Sequence, residues 1–350
     1  MPEETLLIRA DATVAMGTGH VMRCLALAQA WQDSGGTVVF AMVEPLPSMR
    51  ERLFSEEMNV VPVEALAGSR EDARCVAELA SQRAAAWVVV DGYHFDADYQ
   101  RELKAAGLQV LFVDDNGRAG PYAADVVLNQ NANAHKNLYP DCEPYTRLLL
   151  GSRYVLLRRE FNPWREWVRE IPDLGRKILI TMGGSDPDNI TLKAIEALTQ
   201  AGVAGLEATV VVGGSNPHLE SLEQRISESG RFIGLRRNAT DMPELMAWAD
   251  VALGAAGGSL WELLFMGCPV LSYARNIVQS AIVSDLGWQG VVQDLGPPES
   301  FDPASLGAAI AELARSTDRR RRMSELGRDR VDGRGASRIC DLLITHEVRN

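Results

Sequence analysis

Short apolar runs alternate with amphipathic stretches along the chain. In the first half these runs are rich in Val, Ile and Leu and lack strict alternation, which is typical of strands buried on both faces of a parallel sheet. Helical stretches such as 21–33, 71–84 and 96–106 separate them. Strand–helix repetition of this kind predicts a doubly wound α/β sheet. The predicted strands are TLLIRA (5–10), TVVFAMV (37–43), NVVPV (59–63), WVVVDG (87–92), QVLFVDD (109–115) and DVVLNQ (125–130).

The pattern breaks at 151–175, where aromatic residues, charges and two prolines follow no continuing period, and then restarts. We therefore predict two Rossmann-like domains, 1–155 and 175–335, facing each other across a cleft, with ligands at the carboxyl ends of their strands. A helix within 336–350 either packs locally or returns to the first domain. The second set of strands is 177–184, 207–214, 231–235, 250–255, 269–274 and 290–295, with helices at 189–200, 218–229, 241–249, 259–266 and 303–315.

Composition narrows the class of protein. The formal net charge is −12, which argues against non-specific binding of nucleic acid, because that needs a basic footprint. The acidic N-terminus has no signal-peptide pattern and no apolar run approaches the ~20 residues of a membrane span. The five cysteines are scattered, without a C-x-x-C pair or a nearby His at metal-ligand spacing. We expect a cytoplasmic protein with reduced thiols.

The loop after the first strand carries the strongest candidate chemistry. It reads Met-Gly-Thr-Gly-His-Val-Met-Arg over 16–23. Gly17 and Gly19 allow a tight backbone and close approach of a ligand. His20 then falls at the start of a helix, whose positive end disfavours a protonated ring and so suits a base near neutral pH. The alternative interpretation is a hydrogen-bonded His on a simple turn.

Two loops of the second half are candidate anion sites. Gly183, Gly184 and Ser185 end its first strand, where small residues before a helix can hold phosphate, although a capped tight turn explains them equally well.

The second loop of this kind, 256–262, precedes a predicted helix. Gly257, Gly258 and Ser259 would present free backbone N–H groups to a diphosphate, with Ser259 as the N-cap. The Glu262 carboxylate could accept hydrogen bonds from a ribose. The same spacing also fits a capping box, Ser259-x-x-Glu262, with no ligand at all.

Several weaker candidates end other strands. Residues 91–94 (Asp-Gly-Tyr-His) either line a pocket or form a turn. Asp114 and Asp115 suggest a metal, but no partner ligands are evident. The asparagines of 129–133 either line a pocket or bond to their own loop. The basic run 319–322 predicts a solvated helix face.

Together these motifs resemble the nucleotide-sugar hydrolases of pseudaminic acid biosynthesis, which cleave UDP-2,4-diacetamido-2,4,6-trideoxy-β-L-altropyranose and are related to UDP-sugar glycosyltransferases of the GT-B fold. The matching segments run in order nearly end to end: RADA (9–12), GTGHVMR (17–23), DGYHFD (91–96), VDD (113–115), NQNAN (129–133), GSRYVLLRREF (151–161), MGGSD (182–186), AGGSLWELLFMGCPV (256–270) and DGRGASRI (332–339).

The resemblance implies a GT-B-like fold and assigns residues to roles. His20 would be the general acid/base at the anomeric carbon, Tyr93 would line the sugar site, and loop 256–262 would hold the diphosphate and the ribose. It implies hydrolysis with inversion and release of UDP, and no metal or organic cofactor. The substrate-binding set would be Gly17, Gly19, Arg23, Tyr93, Gly184, Ser185, Gly257, Gly258, Ser259, Glu262, Asn276 and Gln279.

One departure leaves the exact sugar open. The family usually has adjacent Asn and Gln after the strand at 269–274, whereas here Asn276 and Gln279 are separated by two residues. Three functions therefore remain: a hydrolase, a glycosyltransferase that uses the same UDP site, or a non-catalytic sensor of nucleotide sugars. The sequence does not predict the oligomeric state.

Overall fold

The computed structural model describes residues 4–13, 16–214 and 216–347 and divides into two compact units. The first contains the residues up to Arg159 together with those from Gly333 onward, and the second spans Glu160–Asp332. Each unit is built around its own parallel sheet. The prediction of an α/β protein with two doubly wound domains is confirmed.

The first unit has a seven-stranded sheet in the order β3-β2-β1-β4-β5-β6-β7. Its strands are β1 Thr5–Ala10, β2 Thr37–Met42, β3 Asn59–Pro62, β4 Ala85–Asp91, β5 Val110–Val113, β6 Val126–Asn129 and β7 Arg147–Leu150. Its helices are α1 Gly19–Asp33, α2 Pro47–Ser55, α3 Arg70–Gln82, α4 Ala97–Ala105 and, from the far end of the sequence, α12 Gly335–Glu347.

Both faces of this sheet are covered, as the unalternating apolar strands predict. Along β1, Leu6 and Ile8 pack with α1 and α12 on one face, while Leu7 packs with α3 and α4 on the other. Helix α12 lies in the core of the first unit, and the Trp87 indole donates to the Leu343 carbonyl at 3.2 Å. The helix within 336–350 thus returns to the first unit, one of the two possibilities left open by the sequence.

The second unit has a six-stranded sheet in the order β10-β9-β8-β11-β12-β13. Its strands are β8 Lys177–Thr181, β9 Glu207–Val212, β10 Phe232–Arg237, β11 Val251–Ala255, β12 Val270–Tyr273 and β13 Gln293–Asp294. Its helices are α5 Ile190–Gln200, α6 Leu219–Ser229, α7 Met242–Trp248, α8 Gly258–Phe265, α9 Ile277–Trp288, α10 Pro303–Arg315 and α11 Thr317–Arg330.

Two expectations for this unit need correction. The strand predicted at 290–295 is reduced to the two residues of β13, because the Val291 N–H bonds to the Leu286 carbonyl of α9 and only Gln293 and Asp294 pair with β12. The run 319–322 is not wholly solvated. Arg320 is fully buried and donates to the carbonyls of Leu313, Pro172 and Asp173, so it connects α11 to the segment that precedes β8.

Candidate functional site

His20 lies in the first turn of α1, at the carboxyl end of β1. The turn before it depends on Gly17, whose φ of +81° is a conformation that favours glycine. A Cβ on Gly19 would meet nothing within 4 Å, so packing within the described protein does not require glycine there. The glycine at this position leaves the backbone open to the close approach of another group.

The His20 ring is held by a buried carboxylate from the neighbouring strand. Strand β4 pairs with β1, and its last residue, Asp91, places Oδ1 2.7 Å from Nδ1 of His20. Burial acts to raise the pKa of Asp91, but Arg23 and His20 outweigh burial and hold that pKa well below its usual range. An ionised carboxylate can only accept, so Nδ1 carries the proton, and in the neutral ring Nε2 keeps the free lone pair.

Arg23 completes this arrangement from one helical turn further along α1. Its Nε and Nη2 each lie 2.6 Å from an oxygen of Asp91, and its Nη1 donates to Asp115 at 2.8 Å. The side chain is 12% exposed. Nη2 is also 3.2 Å from Nδ1 of His20, but its bond to Asp91 is shorter. Arg23 therefore orients the carboxylate that orients His20.

The cluster of His20, Arg23, Asp91 and Asp115 combines one guanidinium with two carboxylates. Burial acts to raise the pKa of Asp115, but Arg23 lowers it overall, so both carboxylates are ionised. With a neutral imidazole the cluster carries one net negative charge, and an imidazolium would bring it to zero. The sequence indicated only the helix N-terminus beside His20, whereas the structure adds two carboxylates and the Arg23 guanidinium.

Tyr93 forms the outer wall of this cluster. It is 61% exposed, its hydroxyl donates to Asp115 at 3.1 Å, and its ring packs edge-on against His20 with centroids 4.9 Å apart. Asn131 donates to the same carboxylate at 3.1 Å. Tyr93, His20 and Asp115 border a pocket of about 430 Å³ within the first unit.

The two adjacent aspartates have different roles. Asp114 accepts from the backbone N–H groups of Asp115, Asn116 and Gly117 and from the Tyr122 hydroxyl, and so holds its own loop. Among the residues that the structure describes, no group of three or more His, Cys, Asp and Glu side chains could hold a metal ion.

In the second unit, α8 begins earlier than the sequence suggested. Gly257 occupies the N-cap position and Gly258 is the first helical residue, so the prediction of Ser259 as the N-cap is wrong. Gly257 lies in an extended conformation, where the chain that leaves β11 can turn at once into the helix. A capping box needs its Ser at the N-cap, so Ser259 and Glu262 do not form one. Glu262 is half-buried on the next turn, and Gly258 is exposed.

The loop that follows β8 is largely fixed by its own hydrogen bonds. Asp186 is 2% exposed and accepts from the N–H groups of Ile190 and Thr191, both at 2.9 Å, and from the Thr191 hydroxyl. Burial raises the pKa of this carboxyl. These bonds favour a capped turn for Asp186. Ser185 is buried. Gly184 packs closely on Gly213, because a Cβ added to Gly213 would lie 2.1 Å from the Gly184 oxygen.

The side chains of Asn276 and Gln279 each accept a hydrogen bond from a backbone N–H at or next to the other residue. The Asn276 side chain caps α9 by accepting from the Gln279 N–H at 2.9 Å, and the Gln279 side chain accepts from the Arg275 N–H at 2.9 Å. This reciprocal cap accounts for the unusual spacing of the two amides, since a cap of this kind needs residues three apart. The side-chain N–H₂ groups are not used in these bonds.

Comparison with known proteins supports the motif analysis. The chain is 26% identical over 275 residues to the UDP-2,4-diacetamido-2,4,6-trideoxy-β-L-altropyranose hydrolase of Campylobacter jejuni, covering 77% of this chain and 92% of that protein. The predicted resemblance to the pseudaminic acid hydrolases is confirmed. A second relative is the spore coat polysaccharide biosynthesis protein SpsG of Bacillus subtilis. It is 29% identical to this chain over 235 residues, covering 67% of this chain and 68% of SpsG.

The fold is shared with solved structures at lower identity. MurG of Acinetobacter baumannii superimposes with a TM-score of 0.68 at 16% identity, covering 98% of this chain and 100% of that one. The predicted GT-B-like class is confirmed at the level of fold. No family model matches the chain. No helix within residues 4–13, 16–214 and 216–347 is long and apolar enough to cross a membrane.

Proposed function

We propose that this protein is a nucleotide-sugar hydrolase that releases UDP from a UDP-activated 2,4-diacetamido-trideoxy sugar. The observation that carries the proposal is the geometry of His20, whose Nδ1 is held by Asp91 at 2.7 Å. A relative named as such a hydrolase, matched over 77% of this chain, supports the choice of substrate.

In the proposed reaction, Nε2 of neutral His20 accepts a proton from water. The water oxygen forms a bond to the anomeric carbon while the bond from that carbon to the diphosphate oxygen breaks, and its electron pair leaves with UDP. A diphosphate is already a good leaving group, so positioning the water and stabilising charge are the main requirements. Attack opposite to the leaving group inverts the anomeric configuration.

UDP itself is assigned to the second unit. The N–H groups at the start of α8 would hold the diphosphate, since a helix N-terminus favours anions. Glu262, one turn further along, would accept from the ribose hydroxyls. Gly184, Ser185 and the amide nitrogens of Asn276 and Gln279 remain proposed ligand contacts.

Hydrolysis in ¹⁸O-labelled water tests this function. The purified protein is incubated with the UDP-diacetamido sugar and no acceptor, and the products are followed by mass spectrometry and NMR. We expect UDP without label, label at C1 of the sugar, and an initially inverted anomer. Label in UDP would show attack at phosphorus and would contradict the proposal. His20→Asn should reduce turnover by roughly 10²–10⁴-fold and leave UDP affinity unchanged.

A glycosyltransferase is the second candidate, because the relative SpsG is named for polysaccharide biosynthesis. His20 would then take its proton from an acceptor hydroxyl. UDP release that appears only when an acceptor sugar is added would favour this function over hydrolysis. Binding of the UDP-sugar without any release would instead indicate a sensor.

A further inference from the structure

A second His–Asp pair lies at the same edge of the first sheet. The loop after β1 supplies His20 to Asp91 of β4, and the loop after β4 supplies His94 to Asp11, just beyond β1. Nε2 of His94 lies 3.3 Å from Oδ2 of Asp11. Among the described residues, neither atom has a hydrogen-bond partner, and both are buried. The two atoms therefore lie close together without a completed hydrogen bond, and the proposed reaction does not use this pair.

Asp11 is fixed and ionised. The residue is 3% exposed, its Oδ1 accepts from the Val43 N–H at 2.8 Å, and the same oxygen pairs with Arg9 at 2.7 Å. Burial acts to raise the pKa of Asp11, but His94 and Arg9 outweigh burial and lower it to about 2. An ionised carboxylate can only accept, so the 3.3 Å contact favours a proton on Nε2 of His94.

The ring of His94 is held in place and borders the pocket that contains His20. It packs on Phe95 with centroids 4.1 Å apart, and a Cβ on Gly92 would come within 2.9 Å of its Cε1. The loop therefore folds back tightly over this ring, which is 22% exposed. Nε2 is buried against Asp11, which leaves Nδ1 as the ring nitrogen for a ligand contact, and in the neutral ring Nδ1 is an acceptor.

We propose that His94 is a specificity-determining residue whose Nδ1 accepts a hydrogen bond from an acetamido N–H of the sugar, with Asp11 as the positioning residue that fixes its tautomer. This inference rests on the proposed function. An acceptor at this position can bind an amide N–H or a hydroxyl of a sugar, and the choice of the amide follows from the proposed substrate. The sugar's acetamido groups provide such donors.

Binding measured without turnover tests the proposal. In the His20→Asn background, which preserves the substrate, the UDP-diacetamido sugar and UDP alone are titrated by calorimetry. His94→Phe keeps the ring packing and removes both nitrogens. We expect it to weaken binding of the sugar nucleotide by roughly two- to tenfold and to leave UDP binding unchanged. Unchanged binding of the sugar nucleotide, or an equal loss for UDP, would overturn the proposal.

Asp11→Asn provides a second, spectroscopic test that keeps His94. The amide oxygen can still accept from Val43, while the amide nitrogen would donate to Nε2 and move the ring proton to Nδ1. We expect ¹⁵N NMR of the ring to show this change of tautomer, together with the same loss of sugar binding. A proton that remains on Nε2 would refute the role of Asp11. Neither measurement needs hydrolysis, so failure of the proposed reaction is detected separately.

Discussion

Replacing Asp91 by Asn should separate the orientation of His20 from the stability of its surroundings. The Asn amide would donate to Nδ1, so that the neutral ring carries its proton on Nε2 and loses the lone pair that faces the substrate. We expect turnover to fall by roughly 10²–10⁴-fold, since the wrong tautomer removes most acid–base assistance. UDP affinity should stay near that of the wild type, because UDP is assigned to the second unit.

The same change also weakens the anchoring of Arg23. Removing one partner of a buried ion pair costs about 3–5 kcal/mol. Arg23 keeps its 2.8 Å bond to Asp115, so we expect the lower end of that range. For a domain of this size, this corresponds to a decrease in Tm of about 6–12 °C, measured by thermal unfolding followed by circular dichroism.

Asp115→Asn is the matched control. It removes the other charge that pairs with Arg23 but leaves the bond between His20 and Asp91 intact. We expect a comparable decrease in Tm with turnover within about tenfold of the wild type. Equal losses of turnover in the two variants would show that stability alone explains the effect. An Asp91→Asn variant with turnover within a few-fold of the wild type would refute the orientation of His20 by this carboxylate.

Three further predictions concern the rest of the molecule. Glu262→Ala should weaken UDP binding in calorimetry by roughly 10- to 150-fold, because a lost charged acceptor costs about 1.5–3 kcal/mol. Gly258→Ala, whose Cβ would meet nothing within 4 Å, should also weaken UDP binding with no decrease in Tm. Normal UDP binding by both variants would remove α8 from the site. Arg320→Ala should lower Tm because three backbone carbonyls lose their donor. Arg321→Ala, on the exposed face of the same helix, should change Tm by little. Equal Tm values for the two variants would contradict a stabilising role for the buried Arg320. The pKa of Asp11 is lowered from 3.8 to about 2, so its ionised form stabilises the folded state by about 2 kcal/mol above pH 4, and this stabilisation is lost as the pH falls through 2. Urea unfolding should show a smaller loss of stability over this pH range in Asp11→Asn. An identical pH dependence would contradict the lowered pKa of Asp11.

The sequence predicted the sheets well because buried parallel strands have a distinctive composition. It failed where pairing, and not composition, decides the structure. Residues 290–295 are apolar enough for a strand, yet only Gln293 and Asp294 pair with β12. The strand Arg147–Leu150 at the opposite edge, and the helices Pro47–Ser55 and Ile277–Trp288, were not predicted.

The candidate site was predicted in part. His20 was singled out from its loop, but Asp91 was predicted only to line a pocket or form a turn, because nothing local links residues 71 positions apart. A usable signal existed. In a doubly wound sheet the fourth strand lies beside the first, so an acid that ends the fourth strand falls near the loop after the first. The resemblance placed Arg23 in the substrate-binding set, but its bonds to Asp91 and Asp115 could not be predicted from sequence, since they depend on side-chain geometry.

The return of α12 to the first unit affects the order in which the two units fold during translation. Domains generally fold as units during translation, the N-terminal one first. Here the second unit is contiguous, whereas the core of the first includes Ile339 and Leu343. The core of the first unit therefore cannot be completed until the ribosome has made the whole second unit. Until then, the face of the first sheet that α12 covers is exposed to solvent. We expect the later-synthesised unit to reach its native state first, and the nascent first unit to be the part that chaperones protect.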